Sequence, residues 1–315
     1  MKKTQFLSFL FKTALVLSLV ICPLLGTAQT RIAIFGGSVA QFFNDRGAQD
    51  VLAAMLPGVE FKNFGKAGDG LCKQTKIENG KAVIGGIPKI VSEQCAAGKA
   101  PYDIYIIWCS TNDIWGNPIG TSSDYTGDDG FDERKLATQC GGLNYCIKTI
   151  QQHAPSAKIL LFASLKSFTD SYGYSRTGLS KYNPPRRMCD YVDAQIECAE
   201  RFSVPVLNLW AESGINEYNF KELCPDGIHP TAEAYKSLCP LFRHFLLRFI
   251  DNSAQKANSA ARTGFPNTTT AIPGTPHRGR LFLSAFNVWR KPFIHAGLEA
   301  AKNTCLEFQN MCLVF

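Results

Sequence analysis

Five short apolar runs, separated by segments with helical spacing, constrain the fold of this chain most strongly. Glycine, proline or polar residues bound each run, and each run is too short to be a buried helix. Strands that alternate with helices pair in parallel and are buried on both faces, so the pattern predicts a doubly wound, mostly parallel five-stranded sheet. The predicted strands cover residues 31–35, 59–61, 103–108, 158–162 and 204–209.

The segments between the strands have the apolar periodicity of helices. Helices on both faces of the sheet give a flavodoxin-like, three-layer α/β/α architecture. About 220 residues suit a single domain of this kind. The predicted helices cover residues 41–56, 87–97, 133–153, 185–202 and 231–250.

Four short polar motifs occur in order along the chain, and three of them lie just past predicted strand ends. They are GGS at 36–38, NFGKAGDG at 63–70, STND at 110–113 and DGIHP at 226–230. Parallel strands bring their carboxyl ends to one edge of the sheet, where ligands bind. The first three motifs should therefore converge on one crevice.

These motifs resemble those of the SGNH/GDSL hydrolase family, which is named for its Ser, Gly, Asn and His. The resemblance covers roughly residues 31–250. Two positions depart from the family: Gly37 stands where the family's Gly-Asp-Ser has Asp, and Ser110 stands where its Gly-x-Asn-Asp has Gly. The resemblance implies an enzyme that hydrolyses esters without a metal or another cofactor.

A serine hydroxyl becomes an effective nucleophile when a base removes its proton. His229 is the predicted base for Ser38, because His153 and His244 lie in predicted helices away from the crevice. A tight Asp-Gly turn would let the Asp226 carboxylate meet the imidazole and stabilise the imidazolium. An Asp-Gly turn before a helix explains the last motif equally well by itself. With Ser38 upstream, the motif favours a Ser38–His229–Asp226 triad.

The family resemblance also implies an oxyanion hole. Its donors would be the backbone N–H groups of Ser38 and Gly68 and the side-chain amide of Asn112. Gly65 is an alternative to Gly68, but Gly68 has the family's spacing from Asn63. Three further polar residues are predicted to brace the site through hydrogen bonds: Asn63, Asp69 and Asp113.

Residues 1–28 have the features of a secretory signal peptide. Lys2 and Lys3 precede an apolar run over residues 14–21, and small residues precede a cleavage point after Ala28. The apolar run is short for a membrane span. We therefore expect a secreted or periplasmic protein, with the hydrolase domain over residues 29–250.

The charge distribution favours a small-molecule or glycan ester as the partner. The formal net charge is +7. Three of the basic residues lie in the predicted signal peptide, and residues 251–315 hold seven Lys/Arg against three Asp/Glu, so residues 31–250 are close to neutral. A neutral domain lacks the basic surface that nucleic acid or an anionic membrane requires. Residues 251–315 are predicted to be a polar linker and a C-terminal appendage that the chemistry does not need.

The cysteine content predicts disulfides, because eleven of the twelve cysteines follow the predicted signal peptide. At least two disulfides are expected within residues 72–239, with the connectivity left open by the sequence. The chain has no CxxC with a matching second pair, which argues against a structural zinc site. The pairs close in sequence are Cys140 with Cys146, Cys189 with Cys198, and Cys224 with Cys239.

These features together predict an exported serine esterase that forms an acyl-enzyme and removes acetyl or other short acyl groups from carbohydrate. Polar loops over residues 114–131 and 164–184 should overhang the crevice and suit a sugar better than a long acyl chain. A lipase, lysophospholipase or thioesterase is the alternative within enzymes, and would need an apolar groove. A non-catalytic carbohydrate-binding module is the alternative from another class, against which the presence of Ser38, Asp226 and His229 argues.

Overall fold

The computed structural model of the protein describes residues 29–96, 102–114, 117–125, 132–169 and 187–250. The predicted signal peptide, parts of both predicted overhanging loops, and residues 251–315 lie outside these described residues.

Five parallel strands form the central sheet, in the order β2-β1-β5-β6-β7. This order confirms the predicted doubly wound sheet. The direction of winding reverses between β1 and β5, and in such sheets the ligand crevice lies at this point. A separate antiparallel pair, β3 with β4, was not predicted. The strands are β1 (Thr30–Gly36), β2 (Val59–Asn63), β3 (Lys76–Glu78), β4 (Lys81–Val83), β5 (Ile104–Trp108), β6 (Lys158–Phe162) and β7 (Val206–Leu207).

Helices cover both faces of the sheet, as the three-layer prediction requires. The described helices are α1 (Ser38–Asp45), α2 (Ala48–Met55), α3 (Gly86–Cys95), α4 (Gln139–His153), α5 (Met188–Arg201), α6 (Leu209–Glu212), α7 (Phe220–Leu223) and α8 (Ala232–Leu246). Two short 3₁₀ segments span Thr111–Ile114 and Glu133–Ala137. Within the described ranges, none of the helices has the length and apolarity that crossing a bilayer requires.

The two largest parts of the core lie one on each face of the sheet, and a smaller third cluster contains Ile114, Met188 and Trp210. Successive side chains of a strand point to opposite faces. In β1, Ile32 and Ile34 therefore pack with α1, α2 and α8, whereas Ala33 and Phe35 pack with α3, α4 and α5. Both faces of the central strands are buried, which explains why their sequences are continuously apolar.

The single helix predicted over residues 41–56 is wrong in its boundaries, because two helices occupy this region. The chain turns at Gly47, which has a φ of 75° and separates α1 from α2. A residue with positive φ ends a right-handed helix, and glycine adopts this conformation without steric strain. The first helix also begins earlier than predicted, at Ser38.

The last predicted strand, residues 204–209, is shorter than expected, since strand pairing covers Val206–Leu207 alone. Pro205 has no N–H to donate, and its carbonyl accepts a hydrogen bond from the Leu161 amide at 2.9 Å. Asn208 leaves the strand and caps α6 with its side chain.

The predicted disulfides are not formed: the nine described cysteines are all buried thiols. Cys140 and Cys146 both lie on α4, and Cys189 and Cys198 both lie on α5, at spacings that direct the paired thiols to different sides of their helix. In the third pair that is close in sequence, Cys224 and Cys239 both belong to the core half that contains α8. The described cysteines serve as small apolar core residues.

Candidate active site

Ser38 is the first residue of α1 and follows the end of β1 after a single residue, Gly37. This strand-to-helix turn lies at the carboxyl edge of the sheet, beside the point where the winding direction reverses. Ser38 is 8% exposed. Its hydroxyl is therefore held at the crevice with little freedom to reorient.

A chain of hydrogen bonds joins the three residues predicted to act together. Ser38 Oγ lies 2.7 Å from His229 Nε2, and His229 Nδ1 lies 2.6 Å from Asp226 Oδ2. When Nδ1 carries the ring proton, it donates to the carboxylate and Nε2 accepts from the serine hydroxyl. The other histidines of the described domain, His153 and His244, lie on α4 and α8.

A tight turn before α8 sets the position of His229. Gly227 has a φ of 77°, and its amide donates to the Cys224 carbonyl at 2.7 Å. The Gly227 carbonyl accepts from the Phe168 amide at 2.7 Å, which fixes the turn to the segment that follows β6. Thr231 then caps α8 with its side chain. The turn is thus held from both sides, and His229 is held with it.

Asp226 is bound by its own turn as well as by the imidazole. Its Oδ1 accepts hydrogen bonds from the backbone amides of Ile228 at 2.9 Å and His229 at 2.7 Å. Partial burial raises the pKa of this carboxyl, but the two amides and the His229 ring lower it more, so the pKa lies below its ordinary value. Asp226 is therefore ionised at neutral pH and can stabilise a protonated imidazole.

The predicted oxyanion donors lie on neighbouring segments that are bonded to each other. Asn112 is in the 3₁₀ segment after β5, and its Nδ2 donates to the Asp69 carbonyl at 3.0 Å and to Ser110 Oγ at 2.8 Å. Gly68 immediately precedes Asp69, and the space that a Cβ would occupy at Gly68 is open. The structure thus brings the Asn112 amide and the Gly68 loop together at the carboxyl edge.

Hydrogen bonds brace this loop at both ends, as predicted for Asn63 and Asp113. The Asn63 side chain accepts from the Gly65 amide at 2.8 Å and donates to the Ala40 carbonyl of α1 at 2.8 Å. Asp113 is fully buried and accepts from three consecutive backbone amides of residues 71–73. Burial raises the pKa of Asp113 although these amides act in the opposite direction. Both side chains shape the loop.

Two residues, Phe42 of α1 and Arg46 immediately after it, were missed by the sequence analysis. The Phe42 ring packs against the His229 ring, with 4.9 Å between centroids. The Arg46 guanidinium lies 4.8 Å from the centroid of the Phe42 ring and donates a hydrogen bond to the Pro230 carbonyl. Phe42 and Arg46 follow Ser38 at spacings of four and eight residues, which places the three on one face of a helix. The sequence indicates this only when the helix is taken to begin at Ser38.

Comparison with known proteins identifies the class of this protein. A sequence profile described as the GDSL-like Lipase/Acylhydrolase family matches residues 34–236. The protein is an ester-bond hydrolase with a parallel α/β sheet. The chain belongs to the GDSL-like lipase/acylhydrolase family, which confirms the resemblance drawn from its motifs. No curated protein sequence matches the chain.

Two solved structures share the fold at low sequence identity, and a third is a weaker match. One crystal structure is 23% identical, with a TM-score of 0.55 over 71% of this chain and 99% of its own. The crystal structure of a protein from Lactobacillus plantarum is 20% identical, with a TM-score of 0.54 over 71% of this chain and 100% of its own. The structure of a possible lipase from Chitinophaga pinensis is 17% identical, with a TM-score of 0.49 over 69% of this chain and 98% of its own.

Proposed function

We propose that the protein is a serine esterase in which Ser38, His229 and Asp226 are the catalytic triad. The observation that carries this proposal is the hydrogen-bond chain of 2.7 Å and 2.6 Å that runs from the Ser38 hydroxyl through the imidazole to the carboxylate. Such a chain activates a hydroxyl and holds the imidazole in the required tautomer.

The reaction follows from these contacts. His229 Nε2 takes the proton of Ser38 as Oγ attacks the ester carbonyl, and Asp226 stabilises the imidazolium that forms. The backbone N–H groups of Ser38 and Gly68 and the Asn112 amide stabilise the oxyanion. The imidazolium then gives its proton to the departing alkoxide, which leaves an acyl group on Ser38. Water, deprotonated by His229, then attacks this acyl group. The bond between the acyl carbon and Ser38 Oγ breaks, His229 returns the proton to Oγ, and the carboxylic acid departs.

The proposed substrate is a short-chain acyl ester, above all the acetyl ester of a carbohydrate, outside the cytoplasm. The near-neutral charge of residues 31–250 and the signal-like features of residues 1–28 support a neutral, extracellular substrate. Lys66 and Lys73 lie close enough to Asp69 to lower its pKa against the dominant effect of burial.

Labelling with a fluorophosphonate probe tests the nucleophile, because the probe reacts with an activated serine. We expect the mature protein to be labelled and Ser38→Ala to be neither labelled nor active. Ser164→Ala is the matched control, since Ser164 is a fully buried serine whose side chain is bonded to Gln195 and not to the triad. Full turnover by Ser38→Ala would show that another group is the nucleophile.

A substrate panel then tests the acyl and alcohol groups. It should contain p-nitrophenyl esters from acetate to palmitate, a lysophospholipid, an acyl thioester and acetylated glycans. Highest kcat/KM on acetyl esters, with release of acetate from a glycan, supports the proposal. Highest kcat/KM on long acyl chains or lysophospholipid indicates a lipase, and highest kcat/KM on the thioester indicates a thioesterase. Glycan binding without hydrolysis indicates a binding module.

A further inference from the structure

The two positions that depart from the family motifs meet in space. A Cβ placed on Gly37 would lie 2.5 Å from Ser110 Oγ and 2.7 Å from the Asp69 carbonyl oxygen. Real Cβ atoms do not approach other atoms this closely. The Ser110 hydroxyl therefore occupies part of the space that a side chain at position 37 would take, and the two departures from the family lie against each other.

Ser110 uses this space to hold Asn112. Its Oγ accepts hydrogen bonds from the Asn112 backbone amide at 3.1 Å and from Asn112 Nδ2 at 2.8 Å. Ser110 is 5% exposed, so the hydroxyl is shielded from water. The Asn112 side-chain Nδ2 also donates to the Asp69 carbonyl at 3.0 Å. Two acceptors on two segments fix the plane of the carboxamide.

We propose that Ser110 is a positioning residue for Asn112, acting in the space that Gly37 leaves by having no side chain. This inference rests on the proposed function, because it matters for turnover only if Asn112 stabilises the oxyanion. A preorganised donor needs no reorientation when negative charge develops, and this is the main advantage of an oxyanion hole.

The Ser110 hydroxyl need not block the oxyanion, although it accepts an amide hydrogen in the free protein. One N–H group can be shared between two acceptors. A charged oxyanion is a much stronger acceptor than a neutral hydroxyl, so it draws the larger share of the Asn112 hydrogen when it forms. The hydroxyl orients the amide before the reaction and yields to the oxyanion during it.

The first experiment is Ser110→Ala, which removes the oxygen and keeps the Cβ. We expect kcat on a p-nitrophenyl ester to fall about tenfold while KM stays near the wild-type value, as for one buried hydrogen bond that acts in the transition state. Affinity for phenylboronic acid, whose tetrahedral adduct with serine carries an oxyanion-like oxygen, should fall by the same factor. Ser164→Ala should leave kcat and boronate affinity unchanged, since the Ser164 hydroxyl accepts from the Gln195 amide at 3.1 Å and not from Asn112.

The second experiment is a double-mutant cycle with Gly37→Ala. The added methyl collides with Ser110 Oγ and the Asp69 carbonyl, so kcat should fall by about a hundredfold or more. In the Ser110→Ala background the 2.5 Å contact is gone, whereas the contacts with the Asp69 carbonyl at 2.7 Å and with Asn112 Nδ2 at 3.1 Å remain. Gly37→Ala should therefore lower kcat less in the Ser110→Ala background than in the wild type, and the two fold-losses should differ by a factor of at least about three. Thermal unfolding of all four proteins separates loss of fold from loss of turnover.

Three results would overturn the inference. The first is an unchanged or raised kcat in Ser110→Ala, and the second is a loss of kcat and boronate affinity in Ser164→Ala as large as that in Ser110→Ala. The third is strict additivity of the Gly37→Ala and Ser110→Ala effects on kcat in the double-mutant cycle. Failure of the proposed function is recognised separately, because Ser38→Ala would then retain turnover. If Ser38→Ala is inactive and Ser110→Ala is fully active, the triad stands and the positioning role of Ser110 is wrong.

Discussion

The ring of Phe42 packs edge-on against the imidazole of His229, at 4.9 Å between centroids and 63° between planes. Phe42 lies one helical turn after Ser38, so α1 carries both the hydroxyl that faces Nε2 and the apolar wall beside the ring. The edge-to-face geometry is favourable for aromatic pairs and restricts rotation of the imidazole. The proposed nucleophile and base are therefore aligned by one rigid element.

Phe42→Ala should lower kcat by about three- to tenfold, because an imidazole free to rotate spends less time within reach of Ser38. Steady-state kinetics on a short-chain ester measure the effect. Phe249→Ala is the matched control: Phe249 is also partly buried against the same half of the core, but it lies beyond α8. A similar loss of kcat in both variants would attribute the effect to general loosening of the core.

Asp226→Asn should reduce kcat on the order of a hundredfold or more, since the amide can present its N–H₂ to the imidazole and favour the wrong tautomer. The backbone amides of Ile228 and His229, which donate to Oδ1 in the wild type, can donate to the Asn side-chain oxygen instead, so the turn should persist. Circular dichroism checks the fold and ester turnover checks the chemistry. Near wild-type kcat would exclude Asp226 from the triad.

The pKa of Asp226 also predicts the pH dependence of stability. The folded pKa lies below the ordinary value of 3.8, so ionised Asp226 stabilises the folded state. This contribution is fully present above 3.8 and is lost as the pH falls through the lower folded pKa. The free energies of unfolding of the wild type and Asp226→Asn, measured in urea, should therefore converge below pH 3.8. If the difference in free energy of unfolding between the two proteins grew as the pH fell, the lowered pKa of Asp226 would be contradicted.

Asn112→Asp should reduce kcat by on the order of a hundredfold, because a carboxylate has no N–H for the oxyanion and repels it. Asn144→Asp is the matched control, since Asn144 Nδ2 also donates to two carbonyls, those of Ser122 at 3.0 Å and Asp124 at 2.7 Å. We expect the control to be less stable but to keep the kcat of its folded fraction. Equal kcat for both variants would remove Asn112 from the oxyanion hole.

The buried thiols should react slowly with iodoacetamide in the native protein and fully in denaturant. Burial raises the pKa of Cys224 to about 12 and of Cys239 to about 11, so little thiolate is present at pH 8. Mass spectrometry of alkylated peptides measures the labelling of each site. Rapid native labelling, or disulfide-linked peptides in unreduced protein, would contradict the thiol state.

The central sheet was predictable because its strands are buried on both faces and leave continuous apolar runs such as residues 104–108. The β3–β4 hairpin was missed because its residues are exposed or partly exposed and have no apolar run. Asn79 and Gly80, both with positive φ, form its turn, and Asn-Gly is a strong hairpin signal. The signal for the hairpin therefore lay in the two turn residues and not in the apolar pattern of its strands.

Ser38, Gly68 and Asn112 could be predicted because each follows a strand end, where topology alone brings them to one edge, whereas Asp226 and His229 were found from their own motif. Phe42 was not found because its role depends on the point at which α1 begins, and Ser38 was taken to precede the helix. Ser110 was recorded as a departure from the family motif, but its contact with Gly37 joins two segments far apart in the chain. Such a contact has no local sequence pattern.

Ser38 and His229 are 191 positions apart, yet their side chains meet at 2.7 Å. Ser38 follows the first described strand and His229 precedes the last described helix, so nearly the whole domain must be in place before the two can touch. Contacts between such distant positions carry a large loop-closure entropy and tend to form late. Recovery of ester turnover after dilution from denaturant should therefore lag behind recovery of the helical circular dichroism signal. Enzymatic activity thus reports the final step of folding.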